Sequence, residues 1–331
     1  MDIGQKSHDF MSNQFNIITS NGLKWIDVQN PTREKMDELG KQYPFHELNI
    51  EDSLSKIQIP KIDKYNDHVF VILHFPTGTV DDNIPRISQL SIFIGSNYLV
   101  TVHQGDLKPL TELVQLCKQD RNKNDRQLIM GKSSGYLLHT IIDALVDDLF
   151  HILMKIIGNL DDIEDAVYDE KIAVAKEISL LRREITTIKR VLLPLRRIIT
   201  SLTIDIQKFS EEDLTLYFDD VKDHINKVVD TLEESKEAIE IYKDADYMLS
   251  TEKTNKIISI LTMVFTLSIP YTIMSTIYGM NIHLPGSLNN TWEPFGVYST
   301  LIIIIVVSTV LTTSMFYYFR KLGWIGSLHH H

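Results

Sequence analysis

The chain has 331 residues, enough for one large domain or two, and its 44% apolar content looks ordinary for a soluble protein until the distribution is read. A formal charge of −11 argues against nucleic acid, whose phosphates reward clustered Lys and Arg, and suits cations better. The single Cys117 excludes an intramolecular disulfide framework and any zinc site built from several thiolates, as expected for a reducing compartment.

Nothing apolar occurs near Met1, so no secretory signal is expected. "FNIITSNGLKWIDVQ" offers two short strands around Asn21-Gly22, a strong hairpin dipeptide. Asn30 then caps, and Pro31 opens, a polar helix through Tyr43. "DHVFVILHF" (67–75) is a nearly continuous apolar strand, and "QLSIFIG" with "NYLVTVHQ" predicts a second hairpin around Gly95-Ser96. These elements define an α/β domain over residues 1–133. "GKSSG" (131–135) fails as a phosphate-binding loop because the required first glycine is Arg126. No metalloprotease, C-x-x-C or Ser/His/Asp signature appears at usable spacing, so no enzyme and no organic cofactor is expected.

From Ser134 the apolar residues recur at helical spacing, which predicts helices over 134–168, 173–207 and from 211 into the apolar region. Pro194 predicts a kink or support from packing. No Gly or Pro separates Glu211 from Pro270, so one helix of about 100 Å can run to Gly279. Its stripe of Leu214, Val221, Ile225, Val228, Leu232 and Ile239 needs cover from the preceding helices or from copies of itself. Residues 134–256 therefore read as a helical stalk.

Residues 257–279 and 297–319 contain no charged residue or His, and each is long enough to cross a hydrocarbon core of about 30 Å. Two buried helices of a soluble core are the disfavoured alternative, since such helices seldom run so long without a charge. Lys253 and Lys256 precede the first span, Arg320 and Lys321 follow the second, and the 280–296 loop has neither Lys nor Arg. The positive-inside bias puts both termini in the cytosol and the loop outside. Residues 320–331 form a cytosolic tail whose "SLHHH" end reads as an affinity tag, and its histidines stay out of the metal argument.

Asn255, Ile258, Thr262, Phe265, Ile269, Thr272, Thr276 and Gly279 share one face of the first span. Polar oxygens alternating with an apolar collar suit a pore for a hydrated ion; on composition alone, threonines that satisfy their own backbone in a packing helix suit the face equally. "YGMN" (278–281) favours the pore: Gly279 permits close backbone approach, and Asn281 offers an amide carbonyl to the waters of a cation that dehydrates reluctantly, as Mg²⁺ does. Two spans cannot enclose a pore, so transport requires a ring of subunits.

A "YGMN" that closes the first of two C-terminal spans resembles the CorA family of magnesium channels. "IEDSL" (50–54), "ALVDDLF" (144–150), "PLRR" (194–197), "YFDDVKDH" (217–224) and "KTN" (253–255) resemble that family in the same order. The resemblance implies an α+β architecture: a cytosolic α/β domain, a long helical stalk and two C-terminal transmembrane helices, assembled as a homopentameric funnel in the cell membrane. It implies passive inward flow of Mg²⁺, with Co²⁺ and Ni²⁺ also conducted. By the same resemblance Gly279, Met280 and Asn281 match the selectivity motif and Asn255 the polar ring at the cytosolic mouth. Divalent ions between neighbouring cytosolic domains would hold the pore closed, matched here by Glu51, Asp52, Asp220 and His224. The external loop departs from the family in having Glu293 as its only acidic residue. Two rivals remain: a proton-coupled Zn²⁺ carrier on the same scaffold, and a non-conducting two-span sensor.

Overall fold

The structure is a computed structural model, and it describes residues 15–56, 58–80, 84–119, 124–169, 174–280 and 298–322. The chain divides into two compact units, Met1–Lys243 and Asp244–His331.

In the first unit the described strands are β1 (Asn16–Ser20), β2 (Leu23–Gln29), β3 (Lys61–Lys64), β4 (His68–Val80), β5 (Ile84–Gly95) and β6 (Tyr98–His103). They form a mixed sheet in the order β1-β2-β6-β5-β4-β3, in which only β2 and β6 run parallel. Asn21 and Gly22 both have positive φ (46° and 82°), the backbone that a two-residue hairpin needs and that these two residue types tolerate. The hairpin expected around Gly95-Ser96 is present as β5–β6. β4 runs beyond the expected Phe75 to Val80, because Pro76 still finds a place opposite Ile87 in the ladder.

Helices α1 (Arg33–Gln42) and α2 (Glu47–Leu54) bury Met36, Leu39 and Ile50 against Ile26, Phe70, Ile72, Phe93 and Val100 of the sheet. Thr32, rather than the expected Asn30, caps α1, its hydroxyl accepting the Lys35 N–H. Alternate strand residues Trp25, Val71, Leu73, Ile92 and Leu99 are buried too, so both faces of the sheet are covered. α3 (Lys108–Gln119) and α4 (Asp125–Met130) follow β6.

A polar network ties β2 to β6 inside this core. Asp27 accepts hydrogen bonds from Thr101 (2.8 Å), Asn16 (3.0 Å) and His103 Nε2 (3.0 Å), and the Gly105 N–H donates to His103 Nδ1 at 3.1 Å. That last bond leaves Nε2 as the protonated nitrogen. Burial alone would raise the Asp27 pKa, but the hydrogen bonds that His103, Asn16 and Thr101 donate outweigh it and hold the carboxyl below its usual range.

α5 (Ser134–Tyr168) and α6 (Ala175–Ile206) follow, close to the ranges that spacing predicts. α6 continues through Pro194, with Leu192 and Leu195 buried on either side of it. The "GKSSG" residues dock α5. Ser133 caps it by accepting the Tyr136 N–H (3.1 Å), Ser134 donates to the Gly95 carbonyl (2.6 Å), and a Cβ at Gly135 would meet Ile206 and Leu214 at 2.8 Å.

α7 spans Thr215–Gly279, 65 residues, and runs through Pro270 as expected. It starts four residues later than the spacing suggested, because Asp213 accepts the Thr215 N–H and Gln207 that of Leu214, which closes a capping turn there. Leu214, Val221, Ile225, Val228, Leu232 and Ile239 are all buried within the single chain, so the stripe does not need a second copy for cover.

The second unit contains the end of α7 and α8 (Ser299–Lys321). Only 6% and 11% of their most apolar stretches are buried, unlike the core helices of a soluble body, which are mostly buried. Thr312 donates to the Leu267 carbonyl at 3.3 Å and Tyr271 meets Thr309 at 3.2 Å, the kind of polar contact that holds helices together in lipid.

Candidate metal centre and transmembrane face

On α7, Asp220 and His224 stand one turn apart, and α5 brings Asp143 to them. Ligand atoms of Asp143, Asp220 and His224 all lie within 4.8 Å of one another, the one such group of His, Cys, Asp or Glu among the described residues. His224 Nδ1 is also 3.3 Å from Asp147 Oδ1, and the edge of its ring meets Phe150 at 5.5 Å between centroids. Burial raises the Asp143 pKa first, and the charges of Asp147 and Asp220 add to that against the opposing pull of His139 and His224. A carboxyl crowded by two others gains most from a cation placed between them. Two carboxylates fit a hard dication such as Mg²⁺, and the imidazole adds a donor that suits Co²⁺ or Ni²⁺.

Sequence reasoning named Asp220 and His224 but missed Asp143. The signal was present: His139, Asp143 and Asp147 recur every four residues, which sets them on one face of α5.

Glu51 and Asp52 are not in this group. Glu51 is exposed in the last turn of α2. Asp52 pairs instead with Lys61 at 2.7 Å. Burial works against the Lys61 ammonium, but its bonds to Asp52 and Asp63 outweigh that and leave its pKa raised.

On the first span, Asn255, Ile258, Thr262, Phe265, Ile269, Thr272, Thr276 and Gly279 are all exposed in the single chain. The half-buried Met263, Leu267, Met274 and Tyr278, with buried Pro270, form the other side. At about 100° per residue these two sets lie on opposite faces of the helix, so α8 covers the face away from Ile269 and Thr272. Thr272 and Thr276 donate to their own helix, to the carbonyls of Ser268 (3.0 Å) and Thr272 (2.7 Å). The packing alternative anticipated such bonds, yet a hydroxyl whose proton is spent inward still turns lone pairs outward, the half that a cation or its water uses. Gly279 ends α7 and Met280 follows it. Asn281 and Glu293 lie outside the described residues.

A large sheet-and-helix body that gathers carboxylates and an imidazole, followed by two helices fit to cross a membrane, defines a two-span membrane protein with a candidate metal-binding group in its body. The sequence model of the family "CorA-like Mg2+ transporter protein" matches residues 20–321, and the chain belongs to that family. It is accordingly a transporter and not an enzyme.

The chain is 29% identical over 273 residues to the cobalt/magnesium transport protein CorA of Thermotoga maritima, covering 81% of this chain and 76% of that one. It is 26% identical to the cobalt/magnesium transport protein CorA of Methanocaldococcus jannaschii, covering 92% of each. The complete structure of the M. jannaschii CorA magnesium transporter superposes with a TM-score of 0.76 at 24% identity over 91% of each chain, and so shares the fold.

Proposed function

We propose that this chain is the subunit of a homopentameric channel of the cell membrane that conducts Mg²⁺, and also Co²⁺ and Ni²⁺, passively into the cytosol. The observation that carries the reading is the orientation of the first span: the face with oxygens and an apolar collar is exposed, and the opposite face is covered by α8. Exposed Tyr247, Met248 and Leu249 ahead of the span add apolar surface for neighbouring copies. The names of the two CorA relatives support Mg²⁺ and Co²⁺ as cargo. Lys253 and Lys256 before the span, with Arg320 and Lys321 after α8, support cytosolic termini.

In this reading Asn281, with Gly279 and Met280, meets the hydrated ion outside. Thr276, Thr272 and Thr262 pass it along by their oxygens, Ile269, Phe265 and Ile258 form a collar that empties of water when narrow, and Asn255 receives it at the cytosolic end. The membrane potential supplies the drive, about 4.6 kcal/mol for a dication per 100 mV.

Asp143, Asp220 and His224 would hold a regulatory cation, with Glu51 and Asp52 of a neighbouring subunit approaching it. A bound dication supplies the charge that lets these carboxylates stay close. The carboxylates repel without it, and the subunits separate.

Uptake of a metal series into liposomes that hold the purified protein tests the reading. Selective Mg²⁺ entry that follows voltage supports it. Entry that needs a pH gradient favours the Zn²⁺ carrier, and no flux after removal of Mg²⁺ from the cytosolic side favours the sensor.

A further inference from the structure

Asp52 is already held by a cation of its own chain. Lys61 Nζ lies 2.7 Å from Asp52 Oδ2 and 2.7 Å from Asp63 Oδ2. Asp52 sits in the last turn of α2, and Lys61 and Asp63 are two apart on β3, hence on one face of that edge strand. The backbone on either side is fixed: buried Gln89 donates to the Asp52 carbonyl (3.1 Å) and accepts the Gln58 N–H (2.7 Å). The Lys61 ammonium also lies over the Phe70 ring, 5.5 Å from its centroid. Water and ions still reach all three heads, since the side chains of Asp52, Lys61 and Asp63 are 21%, 35% and 34% exposed.

We propose that Lys61 is a tethered counter-ion that competes with divalent cations for Asp52 and so sets the Mg²⁺ concentration at which the cytosolic site fills. This rests on the reading of Asp52 as a ligand. An ammonium against a carboxylate neutralises it at any metal concentration, so a dication arriving at Asp52 must share it or displace the lysine. Asp63 makes displacement easier, because Lys61 can keep one ion pair when it gives up the other. The lysine is thus a positioning residue with two berths, and the metal competes for one of them.

The prediction has two opposite signs, which mere damage to the fold does not produce. Lys61→Met keeps an unbranched side chain of similar length and removes the charge, so Mg²⁺ should fill the site at a roughly two- to fivefold lower concentration, the range that partly exposed ion pairs support. Lys61→Arg keeps the charge and should keep the wild-type value. Asp63→Asn leaves Lys61 with Asp52 alone, and the required Mg²⁺ should rise by a similar factor.

The test uses the full-length protein in detergent and reads the Mg²⁺ concentration that gives half of the Mg²⁺-induced rise in Tm, beside the closure curve from liposome flux. Opposite shifts in Lys61→Met and Asp63→Asn, with Lys61→Arg unmoved, are the expected result. An unchanged or raised midpoint in Lys61→Met overturns the proposal; where that variant fails to fold, an unraised midpoint in Asp63→Asn does so. Asp52→Asn separates the two levels. If its midpoint is wild-type, the assignment of Asp52 as a ligand has failed; if it shifts and Lys61→Met does not, only the counter-ion role has.

Discussion

Ser308 of the second span is fully buried and approaches the carbonyl of Pro270 on the first, with its hydroxyl oxygen 3.5 Å away. One turn further along α8, Thr312 donates to Leu267. These contacts fix which side of the first span its own partner helix covers, and by subtraction which side is left to face other copies or a channel of water.

A bulky residue at this contact should separate the helices. Ser308→Leu is expected to cost about 1–3 kcal/mol through overpacking, read as a lower Tm in detergent. Val310→Leu, on an exposed part of α8, serves as the comparison and should change little.

Asp143 carries a prediction that the sequence alone did not. Asp143→Asn should raise the Mg²⁺ concentration for half-closure by about tenfold or more, since even groups one step removed from a metal are worth about that much. Asp220→Ala should do the same, and Asp148→Asn, a residue outside the group of three, should not. Closure curves measured by liposome flux decide among them.

If Asn281 selects the ion as proposed, Asn281→Ala should abolish or scramble selection of Mg²⁺ while leaving the protein folded. Competition between Mg²⁺ and a monovalent cation in the same flux assay checks it. Undiminished selectivity would remove Asn281 from the mouth.

The buried Asp27 makes a pH prediction with a definite sign. Its folded pKa lies below the ordinary 3.8, so its contribution to stability is present in full above about pH 4 and is lost as pH falls through the folded value. Asp27→Asn should lack that part of the acid slope and should be less stable at neutral pH by about 1–3 kcal/mol, because His103 and Thr101 lose a charged partner. Thermal melts of both proteins between about pH 3 and pH 7 test it.

Much of this fold is legible in the sequence where one physical signal dominates. Asn21-Gly22 gives its hairpin because positive φ is needed there, and α5 begins where Ser133 can cap it. The uncharged stretches give both spans. Short elements without such a signal went unread: β3 has four residues that alternate without an apolar face, and α2 is recognisable only once Ile50 is seen in the sheet's core. Among site residues, Asp220 and His224 could be carried over from a resemblance, whereas Asp143 depends on how α5 packs beside α7. The Lys61 bridge depends on the end of a helix meeting an edge strand, a tertiary fact that no local pattern encodes.

The central claim is that one side of the first span lines water while the other packs on α8. Single cysteines at Thr272, Thr276 and Met274, in a chain whose own Cys117 is buried, can be exposed to a small membrane-impermeant thiol reagent in open channels. The account predicts fast labelling at 272 and 276, slowed by Mg²⁺, and protection at 274. Fast labelling at 274 with protection at 272 and 276 would contradict it.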